Sequence, residues 1–153
     1  MADTSLDENK IGLLIWKVSN YWQSKLRKIL KPFNLSLNEF LILESIYELS
    51  LSNSGLSQNE ISKYNSIDVT VASVTFKLLE NKRLISRLIK NDNRKKIIVM
   101  LKAGESLFNK IYPLIQKEQE LIFNKLQNET FNFTNSLKLL LGKKIRIKAD
   151  KII

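Results

Sequence analysis

Two six-residue segments, LSLNEF (35–40) and LSQNEI (56–61), repeat one device: Ser-x-x-Glu with an apolar residue on either side. In each, a serine placed at a helix N-terminus is followed three residues later by a glutamate that can reach back to the serine's own N–H, which is a capping box. Leu35 with Phe40, and Leu56 with Ile61, stand where a hydrophobic staple closes over such a cap. Helices therefore start near Leu37 and Gln58. The first runs to about Ser50, LSNSG (51–55) is a loop, and the second is short, ending near Tyr64. YNSID (64–68) is another break, and Asp68 is placed to cap a third helix from about Val69 to Lys82. On that helix Ala72, Phe76 and Leu79 share a face with Thr75 beside them, which turns Thr70, Ser73, Val74 and Lys77 the other way. A short helix, a brief turn and a second helix with a small, polar N-terminal half form a helix-turn-helix pattern.

What flanks this unit narrows the fold further. LISRLI (84–89) and RKKIIVML (94–101) are β-rich and separated by KNDN (90–93), a hairpin with an Asn/Asp turn. A hairpin directly after a helix-turn-helix is a wing. Upstream, residues 11–30 place apolar side chains at 11, 14, 15, 18, 22, 26, 29 and 30, a helical stripe ended by Pro32 and Asn34. Downstream, a long helix runs from Ala103 to about Leu126, with a bend expected at Pro113. A last helix, roughly Thr130 to Leu141, contains the apolar run LKLLL. A helix that greasy must be buried, so the first and the last two helices are expected to pack against a second subunit. The fold class expected is mainly α with a small β-hairpin wing.

Composition excludes more than it selects. With no cysteine and no histidine, disulfides, Cys/His zinc sites, thiolate nucleophiles and Ser-His-Asp triads are all ruled out. No paired acidic cluster and no glycine-rich phosphate loop stands out, so neither an enzyme nor a bound cofactor or metal is expected. Only four glycines and two prolines are present, which favours long helices over a turn-rich all-β fold. The acidic start, MADTSLDENK, lacks the features of a secretory signal, and no apolar run is long enough to span a membrane. A cytoplasmic protein without a membrane partner is the expectation. The net charge of +10 is unevenly spread: residues 1–56 are neutral, while 57–101 and 102–153 each carry +5. That asymmetry points to a nucleic acid or an anionic surface as partner.

The order of these parts resembles the multiple-antibiotic-resistance regulator (MarR) family of bacterial winged helix-turn-helix transcription factors. The likeness covers nearly the whole chain. It is carried by IWKVSNYWQSKLRKILKPFNLSLNEFLIL (15–43), LSQNEISKYNSIDVTVASVTFKLLENKRLISR (56–87) and DNRKKIIVMLKAG (92–104). The family's wing signature is Asp-x-Arg, then a strand and Leu-Thr-x-x-Gly; Asp92, Arg94 and Gly104 fit it, with Met100-Leu101 in place of the Leu-Thr pair. The glycine frequent before the family's wing is Arg83 here, and the wing tip is about a residue short. The resemblance implies one domain over 1–153, with dimerisation helices at about 10–34 and 103–141, a DNA-binding lobe at about 35–101 and a basic tail at 142–153. It further implies an obligate homodimer, double-stranded DNA as partner, repression by blocking polymerase, and often a small ligand near the junction of the two regions.

On this reading the helix 69–82 enters the major groove, with Thr70, Ser73 and Val74 facing bases and Lys77 a phosphate or guanine. Ser57 and Gln58 offer a helix N-terminus to a phosphate, although Ser57 also simply caps. The wing supplies Arg87, Asp92, Asn93, Arg94, Lys95 and Lys96, and an arginine at its tip suits a narrow minor groove. Asp92 either favours the turn, as Asn91 and Asn93 do, or pairs with Arg94 or Arg87 and orients it. A small aromatic or amphipathic effector between the first and fifth helices would meet Trp16, Trp22 and Phe40; core or dimer packing is the other reading of the aromatic residues near the N-terminus. Two rivals stand beside this function: a winged-helix protein-interaction module without specific DNA binding, and a peripheral membrane protein held by its basic tail.

Overall fold

A computed structural model describes residues 10–52, 55–89 and 96–145. The helices begin where the caps place them. Helix α1 spans Ile11–Leu30 and passes through a 3-10 turn, Lys31–Phe33. Asn34 then adopts the left-handed conformation at φ 55°, and Asn34 N–H and Leu35 N–H bond back to Lys31 O and Leu30 O. These paired bonds close the helix end as a Schellman motif does. Helix α2 (Leu37–Ser50) and helix α3 (Gln58–Asn65) both open on complete capping boxes, Ser36 with Glu39 and Ser57 with Glu60. Helix α4 spans Val69–Asn81, and Asp68 Oδ1 accepts from Thr70 N–H at 2.9 Å and from Val71 N–H at 3.4 Å.

Strands β1 (Ile85–Ile89) and β2 (Lys96–Met100) pair antiparallel, with Arg87 opposite Ile98 and Ile89 opposite Lys96. The ladder extends by one step on the far side of β2. Ser57 bridges Ile97, and Ile98 N–H donates to Leu56 O at 2.8 Å. The wing is thereby anchored to the residues that start α3.

Helix α5 spans Lys102–Phe123 and contains Pro113. A 3-10 segment, Asn124–Glu129, holds a non-helical Gln127 and leads into helix α6, Thr130–Leu140. The chain divides into two units between Gln116 and Lys117. The first has a continuous core. Leu26 and Leu30 of α1, Phe40, Ile42 and Leu43 of α2, Phe76 and Leu79 of α4, Ile85 of β1 and Phe108, Ile111 and Ile115 of α5 are all at most 1% exposed. Phe40 stacks on Phe108 with ring centres 5.9 Å apart, and Tyr47 and Tyr112 extend that aromatic cluster.

Two apolar helical surfaces expected to pack against a second subunit stand exposed in the single chain. Only the C-terminal half of α1 reaches the core; Ile11, Leu14, Ile15 and Trp16 are 47–64% exposed. Helix α6 has no buried residue, and Leu139, Leu140 and Leu141 are 65–69% exposed. The apolar pattern thus correctly marked helices, but the chain's own core does not cover them. Among the described residues, no helix is long and apolar enough to cross a membrane.

Candidate nucleic-acid interface

The turn between α3 and α4 is set by side chains. Ser66 closes α3 in the left-handed conformation, at φ 56°. Asn65 Nδ2 donates to Ser45 Oγ at 3.1 Å, tying the turn to α2, and Asn65 Oδ1 accepts from Ile67 N–H at 3.0 Å. With the turn fixed on α2, the inward face of α4 follows: Ala72, Thr75, Phe76 and Leu79 are at most 4% exposed. Thr75 Oγ1 satisfies itself on Val71 O at 2.7 Å, so its hydroxyl brings no unpaired group into the core. Thr70, Ser73, Val74 and Lys77 are all exposed on the other face. Val69, Val71 and Leu78 are exposed too, at 63%, 43% and 46%, which makes this surface more apolar than the four polar-facing positions alone suggested.

Asp68 places a carboxylate at the start of α4, where it complements the positive end of the helix dipole. That end is therefore occupied by the chain's own anion. At α3 the box pairs Ser57 N–H with Glu60 Oε2 at 3.0 Å and Glu60 N–H with Ser57 Oγ at 3.2 Å. Ser57 and Gln58 are both half-buried.

On the wing, Lys96 is exposed, whereas Arg87 is turned inward. Arg87 Nε and Nη2 grip the two oxygens of Glu80 at 2.9 and 3.1 Å, and the arginine side chain is only 16% exposed. The hydrogen bond from Arg87 is the largest influence on the Glu80 carboxyl; burial opposes it next, and the lesser pull of the Arg87 and Lys96 charges helps to hold the group below its usual range. The same hydrogen bond raises Arg87. Arg87 thus has an acidic partner, but it is Glu80 on α4. Asp92, Asn93, Arg94 and Lys95 lie outside the described residues.

A second ion pair escaped the sequence reading. Glu39, 3% exposed, was read as a capping residue only. Its Oε1 accepts from Ser36 N–H at 3.0 Å, as the box requires, and Lys82 Nζ lies 3.1 Å from Oε1 and 2.8 Å from Oε2. The approach to Oε2 is an ionic contact without hydrogen-bond geometry. Lys82 also donates to Asn34 O at 2.5 Å. Neither Glu80–Arg87 nor Glu39–Lys82 lies within one helix, so no helical periodicity in the sequence announces them.

The junction between them explains one departure from pattern, the arginine where the family often has glycine. Arg83 has φ 58°, the left-handed conformation that glycine adopts at least cost. Arg83 N–H bonds Glu80 O at 2.9 Å and Leu84 N–H bonds Leu79 O at 3.0 Å, a complete Schellman closure of α4 with Leu84 and Leu79 both buried.

Of the aromatic residues proposed for an effector, Phe40 is 1% exposed and sealed against Phe108, Trp22 is partly buried against the same core, and Trp16 is 64% exposed. A cleft of about 450 Å³ opens elsewhere, between α2, residues 55–56, β2 and the start of α5, with Ile46, Tyr47, Leu56, Met100 and Glu105 on its walls. None of the three lines it. Among the described residues no group of three or more acidic side chains is placed to share a metal ion.

No family model matches the chain. Among curated proteins, it is 25% identical over 132 residues to an uncharacterised HTH-type transcriptional regulator, YdcH of Bacillus subtilis, covering 85% of this chain and 88% of that protein. It is 30% identical over 136 residues to the HTH-type transcriptional regulator Hpr of Bacillus cytotoxicus, covering 86% and 69%. The Hpr of Geobacillus thermodenitrificans is 31% identical over 117 residues, and there the chain spans only 54% of its relative's length. Among solved structures, MepR of Staphylococcus aureus in complex with DNA superposes with a TM-score of 0.78 at 22% identity, over 86% of this chain and 96% of that one. A MarR-family regulator from Rhodococcus gives 0.76 at 17% identity over 91% and 97%, and Escherichia coli MarR without ligand gives 0.67 at 22% over 86% and 96%. The chain belongs to the MarR family. As a MarR-family winged helix it has α3 and α4 as its helix-turn-helix and β1–β2 as its wing, and Arg83 occupies the bend for which the family often uses glycine.

Proposed function

We propose that the chain is a sequence-specific regulator of transcription that binds double-stranded DNA as a homodimer, on an approximately palindromic site, and represses by occupying it. The observation that carries this reading is the outward face of α4. Thr70, Ser73, Val74 and Lys77 stand exposed on a helix whose other side is locked into the core. Short hydroxyl and methyl side chains with one lysine suit base edges, thymine methyls and a phosphate in a major groove. The basic run 94–96 on the wing adds a minor-groove or backbone contact. The relatives' names, and the DNA bound to MepR, support the same reading.

Homodimerisation is supported by the apolar surface that the chain leaves bare on α1 and α6. An isolated eleven-residue helix is marginal in water, so α6 draws its stability from packing that its own residues' burial does not supply. Two copies would set their reading helices about one turn of DNA apart. A small aromatic or amphipathic effector would act by favouring a dimer whose spacing no longer matches; of Trp16, Trp22 and Phe40, Trp16 on α1 is the one exposed to it.

Selection of duplexes from a random-sequence pool tests the reading. Enrichment of an inverted repeat, bound with a steep inverse dependence on salt, is expected. Weak binding of every duplex alike overturns it in favour of a protein-interaction module. Sedimentation at equilibrium tests the dimer, and a monomer at micromolar concentration overturns that part.

A further inference from the structure

Arg87 belongs to the basic wing by sequence, yet its side chain is only 16% exposed and its guanidinium is engaged by Glu80. Both oxygens of Glu80 are held by two of its nitrogens, a fork against a fork. Bidentate pairing fixes the plane of both groups as well as their distance. Glu80 lies in the last turn of α4, the helix proposed to read bases. Arg87 lies in β1, at the point where the strand passes from buried Ile85 to Ile89, 74% exposed. The chain between them turns through the left-handed Arg83, and Lys82 is held to α2 through Glu39. Residues 80–87 therefore form a closed ring: covalent along one side, ionic along the other, and braced at its corner.

We propose that Glu80 and Arg87 are positioning residues for DNA recognition, setting the angle of the wing against α4, and that Arg87 itself neutralises no phosphate. This rests on the reading of the chain as a DNA-binding regulator. A winged helix must engage two grooves at once, so the angle between helix and hairpin decides whether both contacts are made together. Turning Arg87 toward a phosphate would break its fork with Glu80 and leave an acid beside the DNA. As a locked pair the two residues are nearly neutral and serve geometry.

The sign of one substitution separates this from simple electrostatics. Glu80→Gln removes a negative charge near a polyanion and frees an arginine, so charge alone demands tighter binding. Positioning demands weaker binding. With a duplex enriched from a random pool by the wild-type protein, fluorescence anisotropy across a salt series is expected to show Glu80→Gln about five- to tenfold weaker with an unchanged salt slope. Arg87→Gln should weaken binding similarly, and the double variant no further, as for two residues acting as one unit. Hydroxyl-radical footprints should lose protection where the wings lie and keep it across the major-groove half-sites. Tighter binding by Glu80→Gln overturns the inference, as does a salt slope lowered by about 0.9 per contact in Arg87→Gln, the mark of a direct phosphate contact. Arg87→Lys guards against a variant that fails to fold. It keeps the charge and loses the fork, so weaker binding supports the proposal and wild-type affinity sinks it. If the wild type enriches no duplex, the regulator reading falls and this inference with it; wild-type binding beside a tightened Glu80→Gln removes the inference alone.

Discussion

The main chain of Leu84 occupies the space a side chain on Gly104 would need: a Cβ there would stand 2.1 Å from Leu84 O and 3.0 Å from its carbonyl carbon. The oxygen cannot simply retreat, because it accepts Leu101 N–H at 3.0 Å. Gly104→Ala must push the start of α5 away from the residue that leads into β1, and a loss of about 1–3 kcal/mol or more is expected, as for other forced overpacking. Urea unfolding measures it, and a change within about 0.5 kcal/mol, typical of an ordinary surface site, contradicts this account.

Arg83 gives the opposite sign. A non-glycine residue in the left-handed region carries a cost of about 1–2 kcal/mol, part of which a glycine returns as freedom of the unfolded chain. Arg83→Gly is therefore expected to stabilise the fold by about 0.5–1 kcal/mol, while Arg83→Ala, which keeps the strain, should not. Thermal unfolding of the two variants side by side checks the order.

Lys82→Met leaves the buried Glu39 carboxylate without its cation. The lysine retains some access to water, so a loss of about 2–3 kcal/mol is expected, below that of a fully buried broken pair. Adding Glu39→Gln should restore much of it. A double-mutant cycle reads the coupling, and strict additivity of the two changes refutes the pair.

Burial, and then the charge of Glu48 one turn away, push the Glu44 carboxyl above its usual range. The folded protein thus binds that proton more tightly than the unfolded chain. Ionised Glu44 costs stability above its folded pKa, and the cost disappears as pH falls below the unfolded value. Glu44→Gln should raise the melting temperature near neutral pH, with relief of the Glu44–Glu48 contact alone contributing about 0.2–0.5 kcal/mol. The advantage should shrink as the pH enters the carboxylate range. Glu80, held below its usual range, behaves in the reverse sense: what it contributes is present at neutral pH and lost as pH falls through its folded pKa.

On the reading face, Lys77→Gln is expected to weaken binding to all duplexes about equally and to lower the salt slope by about 0.9 for each phosphate released. Val74→Ala should instead change which base is preferred at one position. Binding to the selected duplex and to single-base variants of it distinguishes the two, and a sequence-selective effect of Lys77 reverses its assignment.

The features legible in the sequence were local ones. Ser36, Ser57 and Asp68 announced three helix starts, because a cap needs only a side chain and an amide two or three residues away. The inward face of α4 was legible because Ala72, Phe76 and Leu79 repeat with the helix. Glu39 and Arg87 were assigned by their nearest context, a cap and a basic run, while their partners lie 43 and 7 residues off across a bend. Arg83 looked like a lapse from the family's glycine; only the backbone angle shows that the left-handed bend remains. The apolar run near Leu140 marked a helix that the chain's own residues leave exposed, as cover by a second subunit would require.

The bond from Ile98 N–H to Leu56 O joins residues 42 apart and makes β2 an inner strand, flanked on both sides. A hairpin paired only with itself could fold as soon as its turn closed. This one gains its second edge only when the residues before α3 have been brought alongside, so its completion waits on the two helices between, α3 and α4. The wing is consequently not a portable part. Grafted to another scaffold as residues 85–100, it would arrive with an open edge where Leu56 had been, a surface suited to pairing with another strand.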